Sequence, residues 1–117
     1  MKEGYQSLTV WKKSMELTKQ VYVLVETLPI SERFALADQM RRAALSIPSN
    51  IAEGNRRGSR KEYIYFLNIS RGSLAELETQ LILATEIYHS AAFKELLPTV
   101  DEIGRMLYGL IKVLRAE

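Results

Sequence analysis

One rhythm constrains this chain more than any other feature. Tyr63, Leu67, Ser70, Leu74, Leu77, Leu81, Ala84 and Tyr88 follow one another at alternating steps of four and three. That spacing returns to the same side of an α-helix at each step, so these residues form one stripe. The stripe holds for almost four heptads and predicts a helix that could span a small domain. Just upstream, Ser59-Arg60-Lys61-Glu62 has the serine-x-x-glutamate form of a capping box and marks the start of that helix.

A helix with one apolar stripe needs others to cover it. Val10, Ser14, Leu17, Val21, Leu24 and Leu28 predict a first helix over about 10–28. Pro29 ends it, because a residue before proline avoids helical geometry. A second stripe, Trp11, Met15, Thr18, Tyr22 and Val25, lies beside the first and asks for more burial than one seam gives. Ala37, Met40, Ala44, Ile47 and Ile51 predict a second helix, with Ser31 as its N-cap. Pro48 falls inside this rhythm. It offers no amide hydrogen and crowds the carbonyl of Ala44, which predicts a kinked helix rather than two helices. Gly54 or Gly58 supplies the left-handed residue beyond its end. Gly72 and Ser73 leave room for a neighbouring helix to approach.

After a connection over 89–92, with Ser90 as cap, Phe93, Leu96, Val100, Ile103, Leu107, Leu110 and Leu114 predict the fourth helix. Gly104, Tyr108 and Ile111 add a second stripe to it. Pro98 is tolerable near a helix start but would bend a helix that begins at Phe93. No β-branched alternation suggests a sheet. The expected fold is all-α, an antiparallel up-down-up-down four-helix bundle. It would form one domain over residues 1–117, after a short disordered N-terminus of about 1–7. A chain of 117 residues can bury one core without staples.

The chain has no cysteine, which removes disulfides, thiolate metal sites and a cysteine nucleophile. Met1 to Gln6 lack an apolar signal core, and no apolar run approaches the roughly 20 residues a membrane span requires. A cytoplasmic protein is the expectation. Glu86-x-x-His89 has the spacing of a di-iron bundle ligand pair. Such sites need that motif twice, and this chain has 1 histidine. A histidine at a helix end is better explained by its interaction with the helix dipole. Glu76 and Glu78 point about 200° apart on a helix and cannot share a substrate. Ser46, Ser49, Ser59, Ser70 and Ser73 have no histidine base within reach. No glycine-rich loop has nucleotide-binding form. Nothing here implies an enzyme, a cofactor or a metal.

Asn50 with Glu53, and Glu76 with Gln80, share helix faces. They are read as a structural polar network that holds bundle register, with a binding notch as the other reading. Net charge is only +2, but it is uneven. Between Asp38 and Arg71 stand seven basic residues (Arg41, Arg42, Arg56, Arg57, Arg60, Lys61, Arg71) and three acidic ones. Arg56, Arg57, Arg60 and Lys61 crowd one helix–helix turn. Free amides at the start of a helix and arginine forks both suit phosphate. Tyr63 and Tyr65 follow closely and could stack on bases. The plain alternative is a solvated face whose arginines pair with nearby carboxylates.

The strings Ser46-Ile47-Pro48-Ser49-Asn50-Ile51-Ala52-Glu53-Gly54, Phe66-Leu67 and Gly72-Ser73-Leu74-Ala75-Glu76-Leu77-Glu78-Thr79-Gln80-Leu81 resemble the 23S rRNA intervening-sequence protein family. This family is also called S23-type or four helix bundle protein. Leu8-Thr9-Val10-Trp11 and Gln39-Met40-Arg41-Arg42-Ala43-Ala44 are similar too, so the resemblance runs from about Leu8 to Leu114. Ser70 departs from it, since alanine is more usual there. The resemblance implies a bacterial four-helix bundle that assembles as a ring-like homopentamer. A related bundle, the accessory protein of diversity-generating retroelements, is pentameric, binds nucleic acid and partners a reverse transcriptase. Within the intervening-sequence family nucleic-acid binding is an expectation and not a defining activity.

Two functions follow as expectations. The first is a non-enzymatic homo-oligomer that binds structured RNA or DNA through Arg56, Arg57, Arg60 and Lys61, supported by Arg41, Arg42 and Arg71. The second is a scaffold that presents a surface to a protein partner such as a polymerase. The first would repeat each basic turn around a ring, so that weak contacts add as avidity.

Overall fold

The computed structural model describes residues 4–117. It contains α1 (Thr9–Leu24), α2 (Leu36–Arg56), α3 (Arg60–Tyr88), the one-turn α4 (Ala91–Lys94) and α5 (Leu97–Ala116). No strand occurs among the described residues. The four long helices form a bundle measuring 46 × 23 × 19 Å.

Cross-helix contacts fix the directions. Thr18 of α1 meets Ala44 of α2, while Glu26, just past α1, meets Arg41, so these helices run oppositely. Ser70 bonds to Ile47 and Ser73 to Ser46, which makes α2 and α3 antiparallel. Arg71 lies over Tyr108, and Gly104 faces Leu74, which does the same for α3 and α5. The bundle is therefore up-down-up-down. Its core is built from the expected stripes: Leu17, Val21, Met40, Ile47, Ile51, Leu67, Leu77, Leu81, Ile103, Leu107 and Ile111 are all fully buried. The second stripes are only partly used within the chain. Thr18, Val25 and Ile111 are buried, while Tyr22 and Tyr108 stay exposed.

Pro48 sits inside α2, which runs unbroken across it. A mid-helix proline leaves the carbonyl four residues back without its usual donor, here Ala44. The Thr18 hydroxyl supplies the replacement. Its Oγ1 lies 3.1 Å from the Ala44 oxygen and 2.8 Å from the Ser14 oxygen of its own helix. One turn on, the Ser70 hydroxyl donates to the Ile47 carbonyl at 2.8 Å. The Thr18 hydroxyl, its proton shared between two carbonyls, thus compensates the one that Pro48 deprives, where an unpaired buried carbonyl would be costly. Ser70 adds a tie from α3 to the same stretch.

Several local expectations are corrected. α1 ends at Leu24 and tightens into a 3-10 turn, Val25–Thr27, before Leu28 turns extended ahead of Pro29. Ser31 does not cap α2. It lies in the 3-10 turn Ile30–Glu32, and Ala35 occupies the cap position with no side-chain bond. The carboxylate of Glu32 reaches the Leu36 amide at 3.4 Å instead. The stretch expected from Phe93 onward is broken at Glu95 and Leu96, and α5 places Pro98 in its first turn, where a missing amide hydrogen costs nothing. Ser90 stands at the cap of α4 but makes no side-chain bond there. Gly72 has no neighbour that a Cβ would meet, so it is not a close-packing position within the chain. Of the expected disordered start, residues 1–3 lie outside the described residues. Tyr5–Ser7 form a 3-10 turn, held because the Tyr5 ring packs edge-on against Trp11.

Candidate nucleic-acid interface

The turn between α2 and α3 is very short. Arg57 keeps helical geometry at the end of α2, Gly58 takes a φ of 85°, and Ser59 is already extended as the N-cap of α3. Glycine takes so positive a φ without the steric cost a side chain would add, which suits so tight a turn. The serine half of the capping box forms, with the Glu62 carboxylate held by the Ser59 hydroxyl. The Ser59 hydroxyl accepts from the Glu62 amide at 3.1 Å and donates to the Glu62 carboxylate at 3.0 Å. Close approach continues down the helix pair, for a Cβ on Gly54 would stand 2.8 Å from Phe66 Cβ. Short connection and tight seam together hold Arg56, Arg57, Arg60 and Lys61 at one end of the rod.

These four cations differ in their partners. Arg57 is clamped. It reaches Glu53 at 2.8 Å and Glu62 at 3.6 Å, and its guanidinium lies 5.1 Å over the Phe66 ring. Arg56 has no carboxylate partner among the described residues and lies 5.5 Å over the Tyr5 ring. Arg60 and Lys61 are exposed and have no side-chain partner among the described residues. The open charge of the turn is thus Arg56, Arg60 and Lys61, while Arg57 serves the turn itself.

The structure separates the supporting arginines from this group. Arg41 lies about 22 Å from Arg56 along α2, at the ordinary helical rise. It pairs with Glu26 at 3.3 Å and packs over Tyr22 at 5.9 Å. Arg42 pairs with Asp38 at 3.1 Å. Arg71 lies about 16 Å beyond Arg60 along α3. It donates to Asn68 at 3.2 Å and covers Tyr108 at 5.8 Å. Of the two tyrosines read as stacking candidates, Tyr63 is half-buried, with its hydroxyl accepting from Asn55 at 3.3 Å. Tyr65 is 62% exposed and touches Phe66 edge-on.

Asn50, Glu53, Glu76 and Gln80 share no hydrogen bond with one another. Asn50 donates to both the carbonyl and the hydroxyl of Ser46, at 2.8 and 2.9 Å, and Ser73 reaches that hydroxyl from α3 at 2.7 Å. Glu53 belongs to Arg57. Glu76 is exposed, and the buried Oε1 of Gln80 has no hydrogen-bond partner among the described residues. The network that crosses the α2–α3 seam is therefore Asn50–Ser46–Ser73. Sequence reasoning missed it because same-face spacing finds partners only along one helix.

At the opposite end, the Tyr88 hydroxyl donates to the Glu32 carboxylate, which also lies near the Leu36 amide. That bond, with lesser help from partial burial and the negative charge of Glu32, raises the Tyr88 pKa above its ordinary value. His89 closes α3 at a φ of 52°, a left-handed position at the far end from the basic turn. Among the described residues no three His, Cys, Asp or Glu side chains gather as a metal site, and no helix is long and apolar enough to cross a membrane.

Comparison with known proteins agrees with this architecture. A crystal structure of a protein with unknown function from the S23 ribosomal protein family of Bacteroides thetaiotaomicron superposes with a TM-score of 0.81 at 28% identity. The match covers 89% of this chain and 99% of that one. No curated protein matches the chain. The model of the 23S rRNA-intervening sequence protein family matches residues 6–109, nearly the whole bundle. The chain belongs to the 23S rRNA-intervening sequence protein family.

Proposed function

We propose that this protein is a non-enzymatic, oligomeric nucleic-acid-binding bundle that grips structured RNA or DNA through the basic turn. The observation that carries the reading is the set of Arg56, Arg60 and Lys61, three cations at one end of the rod with no carboxylate partner among the described residues. They stand beside the first amides of α3, whose positive end favours phosphate. The contact is with the backbone of the nucleic acid and carries little base sequence information. Arg57 belongs to the site as the clamp that holds the turn, and Arg41, Arg42 and Arg71 would add long-range attraction only.

A homo-oligomer, a pentameric ring by the family resemblance, belongs to the same reading. Its support is apolar surface the single chain leaves uncovered, with Val23 at 72%, Ile87 at 54% and Val113 at 57% exposed. In a ring each turn is repeated, and weak phosphate contacts add. The second reading, a scaffold for a protein partner, draws on the pairing of Arg41, Arg42 and Arg57 with carboxylates inside the chain.

Fluorescence anisotropy with a labelled structured RNA at several salt concentrations tests this. The variant is Arg56→Ala, Arg60→Ala and Lys61→Ala combined, with Arg57 kept so that the turn stays clamped. Light scattering checks its assembly. Salt-sensitive binding that the variant loses while its assembly is intact is the expected result. Absence of binding at low salt, where phosphate contacts are strongest, turns the reading to the scaffold.

A further inference from the structure

Backbone contact needs only charge, yet the turn is bracketed by rings. On one flank the Tyr5 ring carries the Arg56 guanidinium at 5.5 Å and leans edge-on against Trp11 at 5.3 Å. On the other, Phe66 carries Arg57 at 5.1 Å and meets the exposed Tyr65 edge-on at 5.1 Å. Between the N-terminal turn and the last two turns of α2 runs an open groove of about 380 Å³, lined by Tyr5, Ser49, Ala52, Glu53, Arg56 and Arg57. A planar, stackable surface, a groove and unpaired cations within one turn make an arrangement that a duplex cannot use in full. Paired bases hide their faces in the helical stack. An unpaired base exposes both faces, and arginine planes and aromatic rings are the surfaces on which such bases settle.

We infer that the groove between Tyr5 and Arg56 receives an unpaired base, so that the ligand class is a nucleic acid with looped-out or single-stranded nucleotides. The inference rests on the proposed nucleic-acid reading and narrows it. The base stacks on the Tyr5–Arg56 pair, while Arg60 and Lys61 hold the adjoining phosphates. Arginine on tyrosine also pins the N-terminal turn in the free protein, so the stacking surface is partly organised before binding. Stacking reads a π-face and not a sugar, so a DNA hairpin should show the same dependence on Tyr5 as an RNA hairpin.

The test compares a hairpin RNA that has an unpaired loop with a fully paired duplex RNA of equal phosphate count. Binding is followed by anisotropy at fixed low salt, and by emission of Trp11, the single tryptophan, which touches Tyr5. The wild type is expected to prefer the hairpin by about fivefold or more, the scale of one base stacked on an aromatic ring. Tyr5→Ala should erase that preference and leave duplex binding within about twofold, while Tyr5→Phe keeps the preference because it keeps the ring. Arg60→Ala with Lys61→Ala should weaken both RNAs alike. Equal wild-type affinity for hairpin and duplex, or equal losses on both in Tyr5→Ala, overturns the stacking inference and leaves the phosphate reading standing. Failure of the wild type to bind either RNA removes both.

Discussion

The two ends of this rod solve the same problem in opposite ways. At one end α2 passes into α3 through Arg57, Gly58 and Ser59 alone. At the other, α1 passes into α2 through two 3-10 turns, and α3 passes into α5 through the short α4. The long connections bring in carboxylates, Glu26, Glu32 and Glu95, against Arg33 and Lys94. One of them, Glu32, is spent on tying the far end together, since it accepts from Tyr88. The short turn has too few residues to balance its own charge. Glu53 and Glu62 neutralise Arg57, and nothing described remains for Arg56, Arg60 or Lys61. Stacked arginine alone does not separate the ends, because Arg33 also covers Phe34 at the far one. What differs is the charge balance beside the stack. Three cations without a carboxylate partner among the described residues stand together at the turn. Arg33 and Lys94, likewise without an ion pair among the described residues, stand among Glu26, Glu32 and Glu95.

Charge removal is the strongest way to break this comparison. Replacing Arg56, Arg60 and Lys61 by alanine should weaken nucleic-acid binding by about tenfold or more at low salt, since each lost cation forgoes a phosphate. Arg33→Ala with Lys94→Ala, the same operation at the far end, should change it by less than about twofold. Equal losses in titrations of the two variants would mean that net charge, and not place, governs binding.

Packing at the turn comes next. Gly54→Ala puts a Cβ 2.8 Å from Phe66 Cβ, a contact between two short stems that cannot swing aside. A destabilisation of about 1–3 kcal/mol is expected from such overpacking. Thermal unfolding measures it, and binding should fall with it if the seam positions the cations. Between the ends, Thr18→Val keeps the shape but removes the hydroxyl that serves the Ala44 carbonyl. A cost of about 1–2 kcal/mol follows from leaving that buried group unpaired, with binding at the turn unchanged once the protein is folded.

The smallest effect belongs to the far end. Tyr88→Phe removes the bond to Glu32 and should lower the melting temperature slightly without touching binding. The Tyr88 pKa is raised above 10.0 in the folded chain, so its stabilisation is complete below that pH and is lost as pH climbs through the folded value. Melting temperatures of the wild type should therefore fall more steeply above about pH 10 than those of Tyr88→Phe.

Much of this molecule was legible because its signals are local. The four-and-three rhythm placed the long helices, and the Ser59–Glu62 box marked the first residue of α3, because cap and helix lie three residues apart. The glycine choice at 54 or 58 resolves into two roles, with Gly58 taking the positive φ and Gly54 the close approach. What stayed hidden depends on distant partners. Ser31 has the chemistry of a cap, but Pro29 draws it into a 3-10 turn. Nothing near Tyr5 in sequence points to Arg56, some fifty residues on, and nothing near Pro48 points to Thr18. The four cations of the turn were readable as a group. That Arg57 is clamped while the other three are open was not, because the difference lies in which cation reaches Glu53, Glu62 and the Phe66 ring across the turn.

The most direct test of the central claim is the salt dependence of RNA binding. The logarithm of the association constant, plotted against the logarithm of salt concentration, has a slope that counts the phosphates neutralised. The account predicts a steep slope for the wild type, and one shallower by about two in Arg60→Ala with Lys61→Ala, one for each cation removed. An unchanged slope in that variant would place the phosphate contacts elsewhere on the bundle and contradict the account.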